Sequence, residues 1–223
     1  MFLLRDVNVV NMTGHVNAVN ITWQDGVVTG RGYHHGDLRA ALVAAGVEAA
    51  RRGGAAAVGL NRLATEVGVS ASAAYRHFPG GLDDLLIAVG DVARHGLADR
   101  MKLRMSQVTR SRDPGTLAGR RFRASGEAYV EYVCEEPGLF QVACQYDHGR
   151  SEADPYALLE GCIDDLVAAG VLPTARRADA APAAWAAVHG LAVLLTEGPL
   201  RRLDDAQRRR VVARTLTMVG AGL

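Results

Sequence analysis

Over the first thirty residues polar and apolar positions alternate with a period of two, in Val7-Asn8-Val9 and again in Val16-Asn17-Ala18-Val19-Asn20. Such alternation suits a small hairpin, but two strands alone are marginal in water, so residues 1–30 are expected to form a flexible extension. From Asp37 the pattern turns helical. Asp37 is placed to cap a helix in which Leu38, Leu42, Ala45 and Ala49 recur at three- and four-residue spacing until Gly53-Gly54 stops it. A second short helix is predicted from Leu60 to Val67, with Leu60, Leu63, Ala64 and Val67 on one face and Gly68 breaking it. Ser70 caps a third, Ala71 to Phe78, which Pro79-Gly80-Gly81 ends. Two short helices joined by a glycine turn, behind a longer supporting helix, make a helix-turn-helix unit.

Beyond Leu82 the pattern predicts longer helices near 82–106, 116–135, 137–145, 155–169, 179–197 and 204–220, with loops at Ser111–Thr116 and Asp147–Asp154. No convincing strand follows residue 30. The expected fold is all-α, with a helix-turn-helix domain over residues 31–81 and a larger helical ligand-binding and dimerisation domain over 82–223.

Composition narrows the function. The chain has 223 residues, 49% of them hydrophobic and 5% aromatic, and a formal net charge of +1. It is long enough to bury a core without staples. No apolar run reaches the roughly 18 uninterrupted residues of a membrane span, and Met1–Asp6 lacks the features of a signal peptide. The odd cysteine count (Cys134, Cys144, Cys162) points to a reducing, cytoplasmic compartment. The small net charge conceals one basic segment. Residues 31–81 carry Arg31, Arg39, Arg51, Arg52, Arg62 and Arg76 against Asp37, Glu48 and Glu66, a net of +3, whereas the segments on either side are each at −1. A local patch of that kind, sitting on the helix-turn-helix, points to nucleic acid.

The stretch from Tyr33 to Leu86 resembles the DNA-binding domain of the TetR family of transcriptional regulators. The likeness is carried by Leu63-Ala64, Val67-Gly68-Val69-Ser70 and Tyr75-Arg76-His77-Phe78, in order and at the family's spacing. Further on, Trp185, His189, Gly190 and Leu191, followed by Glu197-Gly198-Pro199-Leu200, resemble the subgroup whose regulatory domain carries a Trp-His-Gly motif. The resemblance implies a cytoplasmic homodimer with two partners, double-stranded operator DNA and a small-molecule effector of unknown identity. It implies no cofactor, no metal, no membrane and no enzymatic activity.

The residues themselves give a matching DNA interface. In a helix-turn-helix the second short helix enters the major groove. Ala74 and Phe78 share one face of that helix and pack inward with Leu63, Val67 and Val69, leaving Ala71, Ser72, Tyr75 and Arg76 toward DNA. Arg76 suits a bidentate pair with guanine, Ser72 a base or a phosphate, and Ala71 a thymine methyl. Ser70 stands at the start of that helix. The family implies phosphate contacts from Tyr75 and His77, and from the position of Asn61, where an arginine is common. It also implies a lysine three residues after Phe78, where this chain has Gly81, with Leu85-Leu86 displaced by one residue. The amide groups of a glycine-led helix start offer an alternative phosphate seat, and Arg31, His34, His35 and Arg39 can supply the missing charge. With Ala71 and Ala73 on the reading helix, phosphate contacts and DNA shape are expected to carry much of the affinity.

In the regulatory half Phe122, Gly126, Tyr129 and Val133 form a stripe with Ser125 and Tyr132 beside it, apolar walls with a few hydroxyls. Trp185 and His189 are expected to join them, His189 either as a pocket hydrogen-bonding group or packed architecturally against Trp185. The helix holding Trp185 is apolar all round and must be buried on two sides. Leu191 and Leu194, with Val212, Leu216 and Val219 on the last helix, form the expected dimer seam. An enzyme is the weaker class: Cys134, Cys144 and His148 match no closed zinc spacing and show no paired base. The alternative is a helical small-molecule-binding or scaffold protein with weak or lost operator binding, suggested by Asn61 and Gly81.

Overall fold

A computed structural model describes residues 38–146 and 154–223; the extension over 1–30, Arg31, His34, His35, the cap at Asp37 and His148 lie outside the described residues. Among those residues the chain is a succession of α-helices with three short 3-10 turns and no strand. The helices are α1 (Leu38–Gly53), α2 (Leu60–Glu66), α3 (Ala71–His77), α4 (Leu82–Ser106), α5 (Pro114–Glu135), α6 (Pro137–Gln145), α7 (Pro155–Ala168), α8 (Arg177–Thr196) and α9 (Asp205–Gly222).

The helix ends follow from local chemistry. Proline, whose missing N–H costs nothing in a first turn, opens α5, α6 and α7. Asp113 accepts the Thr116 amide at 2.7 Å, so α5 starts at Pro114 and the loop expected over Ser111–Thr116 stops at Asp113. Asp204 and Gln207 close a reciprocal capping box at α9. The other boundaries fall within two residues of the expected ones.

Three apolar clusters organise the packing. The first joins α1, α2 and α3 (Leu42, Leu63, Phe78) to the amino-terminal half of α4 (Leu85, Leu86, Val89) and to Leu139 and Val142 of α6. The helix-turn-helix core therefore does not stop at Gly81, because α4 and α6 complete it. The second gathers α4, α5, α6 and α8 around Tyr129, Val133, Phe140 and Leu195. The third holds Phe122, Ile163, Leu166 and Ala181 between α5, α7 and α8. At 25 residues and about 1.5 Å per residue, α4 runs through the first cluster, the second and, with Met105, the third.

Among the described residues one segment, Thr174–Thr196, is long and apolar enough to cross a membrane by length and mean hydropathy alone, and a third of its 18-residue apolar window is buried inside the fold. It comprises α8 and the turn before it. Its apolarity all round has one source inside the molecule, since Ala180, Ala181, Ala184, Leu191, Ala192 and Leu195 pack inward. Leu194 stays outside.

Candidate nucleic-acid interface and effector cavity

The reading helix is set by its neighbours in sequence. Gly68 takes a positive φ of 78° at the turn, which a side chain rarely tolerates. Ser70 then accepts the Ala73 amide at 3.2 Å and starts α3. Ala74 and Phe78 are wholly buried beside Leu63, as the spacing predicts, and Val67 and Val69 pack against the same core. Asn61, Ser70, Ala71, Ser72, Tyr75, Arg76 and His77 are all exposed, as is Arg39. The Ser72 hydroxyl lies 3.0 Å from that of Ser70, which ties one exposed candidate group to the cap. Arg39 places its guanidinium 5.2 Å from the centre of the Phe78 ring, a cation–π contact that pins α1 against the end of α3.

The expected phosphate seat at the start of α4 shares its turn with two acids. The Asp84 carboxylate accepts the Gly80 amide, and Asp83 stands exposed in the same turn. The Gly81 amide is spent on the Phe78 carbonyl at 2.8 Å. Gly81 itself has a φ of 73°, so the tight backbone after Phe78 accounts for a glycine at the lysine position.

The regulatory half holds an apolar cavity of about 20 Å³, room for roughly one water, walled by α4, α5, α7, α8 and α9. Phe122, Ser125, Tyr129 and Trp185 line it, as expected. Sequence reasoning missed Met101, Leu159 and Ala184 in the same wall. Their helical spacing is that of any core residue, so no signal distinguished them. The Ser125 hydroxyl donates to the Phe122 carbonyl at 2.7 Å, and Tyr129 shares a 2.8 Å hydrogen bond with Nδ1 of His189. Burial drives the Tyr129 phenol far above its ordinary range and holds the His189 imidazole below its own, so both are neutral near pH 7. His189, expected in the pocket, is not among the lining residues; it stacks on Trp185, with centroids 6.0 Å apart and planes at 21°, which fits the architectural reading. A wider groove of about 600 Å³ between α5 and α9 is charged instead, with Glu127, Glu131, Arg208 and Arg209 on its walls.

Three further assignments are corrected. Tyr132 does not reach the cavity; its hydroxyl donates to the Ala93 carbonyl of α4 at 3.0 Å, locking α5 to α4. Leu191 is buried among Tyr129, Val133 and Leu195 rather than facing a partner. Leu216 turns inward as well, onto Gly126 in the cavity wall. Of the five seam residues only Leu194 is exposed, at 42%, while Val212 and Val219 pack partly against the core. Met218, at 64%, is an exposed apolar side chain on α9 that the pattern did not single out. Burial also raises the thiols of Cys134 and Cys162, which is the opposite of what an activated nucleophile needs.

Comparison with known proteins follows the same division. Residues 42–89 match the family model of bacterial regulatory proteins of the tetR family, and residues 122–219 match the model of the tetracyclin repressor-like C-terminal domain. No curated protein matches. Among solved structures, a protein of unknown function from Rhodococcus sp. RHA1 is similar over 87% of this chain and 99% of its own, at 24% identity and a TM-score of 0.71. The TetR family transcriptional regulator PfmR from Thermus thermophilus is similar over 82% of this chain and 98% of its own, at 20% identity and a TM-score of 0.53. A bacterial regulatory protein of the tetR family from Rhodococcus RHA1 gives 20% identity over 82% and 96%, with a TM-score of 0.55. The reading helix on its capped turn and the two consecutive family matches agree, and the chain belongs to the TetR family, as a DNA-binding transcriptional regulator without enzymatic activity.

Proposed function

We propose that this regulator is a cytoplasmic, ligand-responsive repressor of the Trp-His-Gly subgroup that binds a palindromic operator as a homodimer, with residues 31–81 on DNA and 82–223 sensing the effector. The observation that carries this reading is the reach of α4. Its Leu85, Leu86 and Val89 complete the helix-turn-helix core, and its Met101 lines the cavity. Sixteen residues separate Leu85 from Met101, about 24 Å along a helix axis. An effector that prefers a displaced Met101 then shifts the reading head, and the shift is limited to its preference for that state.

In this reading DNA is met by Ser72, Tyr75 and Arg76 of α3, with Arg39, Asn61, Ser70, Ala71 and His77 around them. Phe122, Ser125, Tyr129 and Trp185 meet the effector, and His189 holds Tyr129 in place. The partner subunit covers the outer sides of α8 and α9, where Leu194 and Met218 are exposed. Dimerisation sets two reading helices about one DNA turn apart.

Selection of bound DNA from a random pool tests the proposal. It is expected to return inverted half-sites with centres about 10 base pairs apart, retained by two chains. Single half-sites bound by one chain overturn the dimer. The acids at the start of α4 and the absence of an arginine at Asn61 favour a second reading, a ligand-binding protein with weak operator affinity. That reading is selected if no DNA is retained even at low salt.

A further inference from the structure

We infer that the effector is an uncharged, predominantly apolar molecule that enters the α5–α8 cavity by displacing Leu216 of α9 from its seat on Gly126. The inference rests on the ligand-responsive reading above and adds the chemical class of the ligand and the side chain that admits it.

The wall carries no charged side chain and has almost no polar group to spare. Besides the indole N–H of Trp185, its side-chain donors are the hydroxyls of Ser125 and Tyr129. The first is spent on the Phe122 carbonyl, with the Cys162 thiol beside it, and the second is engaged by His189. A carboxylate or phosphate placed here would lose its hydration and find at most one donor, so it is rejected.

Cations fare no better, because the aromatic side chains are not an open cage. Tyr129 and Tyr156 meet Trp185 edge to face at 5.1 and 5.4 Å, and His189 stacks on the indole. The faces of Trp185 and Tyr129 are taken up by these neighbours, which leaves Phe122 as the one lining ring outside the cluster, and a single ring does not replace the hydration of an ammonium.

The cavity is small as it stands. At about 20 Å³ it holds little more than a water, so an organic effector has to move part of the wall. Leu216 is the part that yields. A Cβ added at Gly126 would lie 2.6 Å from its Cδ2, so that methyl rests directly on the glycine with nothing between. The remaining wall stands on α4, α5, α7 and α8, each anchored by several buried residues, whereas Leu216 is the one residue of α9 that is buried. The glycine therefore gives the methyl its resting place when the cavity is empty. The bound molecule takes that place over and pushes on α9.

Four probes of one size separate the classes: ethylbenzene, 4-ethylphenol, 4-ethylbenzoate and phenethylammonium. Each is titrated into the full chain carrying Trp23→Phe, so that Trp185 fluorescence reports the cavity. The two neutral probes are expected to bind at least about a hundredfold more tightly than either ion. Leu216→Ala is expected to tighten the neutral probes roughly tenfold by removing the displaced side chain, and Gly126→Ala to weaken them by a similar factor by filling the space. Binding of either ion within tenfold of the neutral probes overturns the chemical class and leaves a ligand cavity standing. Tight binding that neither Leu216→Ala nor Gly126→Ala alters overturns Leu216 as the point of entry. If no probe binds even the Leu216→Ala chain, the ligand-responsive reading itself is lost.

Discussion

Replacing Gly138 by alanine tests how firmly the reading head is fixed to the body. Gly138 lies in the first turn of α6, where that helix crosses α1. An added Cβ would stand 2.1 Å from the Ala50 carbonyl oxygen and 3.1 Å from the Gly54 nitrogen. Both are backbone atoms, joined to each other by a 2.7 Å hydrogen bond at the end of α1, so neither can step aside. A carbon and a carbonyl oxygen need about 3.3 Å, and α6 must withdraw by roughly 1.2 Å. A gap of that size forfeits about half or more of the contact attraction, here along Leu139 and Val142, which are almost fully buried in the head core. The expected loss is about 2–4 kcal/mol. For a chain of this size that lowers the unfolding temperature by about 4–16 °C, measured at fixed protein concentration to hold any assembly constant. Gly161→Ala is the control. It sits exposed on α7 with no atom near its added Cβ, and a mid-helix alanine there should stabilise by about 0.5–1 kcal/mol. A Gly138→Ala chain that unfolds at the wild-type temperature, while Gly161→Ala behaves as stated, refutes the close α1–α6 contact.

Arg76→Ala should cost about 1–3 kcal/mol at a single base pair and relax the preference there; a selected site with unchanged preference removes Arg76 as the main base reader. Asp83→Asn takes an exposed negative charge from the start of α4 and should tighten DNA binding severalfold at low salt, with the gain fading as salt rises. Equal affinities at low salt would place that turn away from the phosphates. Burial holds the folded His189 below its ordinary pKa, while the unfolded imidazole takes up its proton near pH 6.5. Its stabilising share is therefore complete above about pH 6.5 and is lost as the pH falls through the window beneath. Urea midpoints at pH 7.5 and 5.5 should differ less for His189→Gln than for the wild type, and parallel differences exclude His189 from the acid response.

Which of these features can be read from the chain depends on how local their causes are. The reading helix was legible because cap, turn and inward face all lie within the span from Leu63 to Phe78, and the covalent chain brings them together. The helix ends were legible for the same reason, once Asp113-Pro114 is read as cap and first turn. The cavity was half legible. Phe122, Ser125, Tyr129 and Trp185 share stripes with suitable chemistry, but Tyr132 lies beside the same stripe and donates to Ala93 instead. A stripe gives an angle around one helix, and the identity of the neighbour at that angle is set by tertiary packing. Gly126 and Gly138 show this most plainly, since each is a glycine because another element rests on it.

Two of the five seam residues, Leu191 and Leu216, turned inward for a related reason. On α8 apolar side chains point in every direction, so periodicity marks Leu191 and Leu194 alike, although one is buried at 6% and the other is 42% exposed. On α9 it marks Leu216, which fills the space above Gly126, and passes over Met218, whose neighbours Thr217 and Gly220 break the stripe. Burial against the chain's own core has first claim on an apolar face, and only what is left over is available to a second subunit. On the proposed function the same competition ties the effector to the interface. A molecule that expelled Leu216 from the cavity would move an α9 side chain whose helix also carries the exposed Met218, two residues along. Cavity and proposed partner face would then be the two sides of one helix, and occupancy of the first would bear directly on the second.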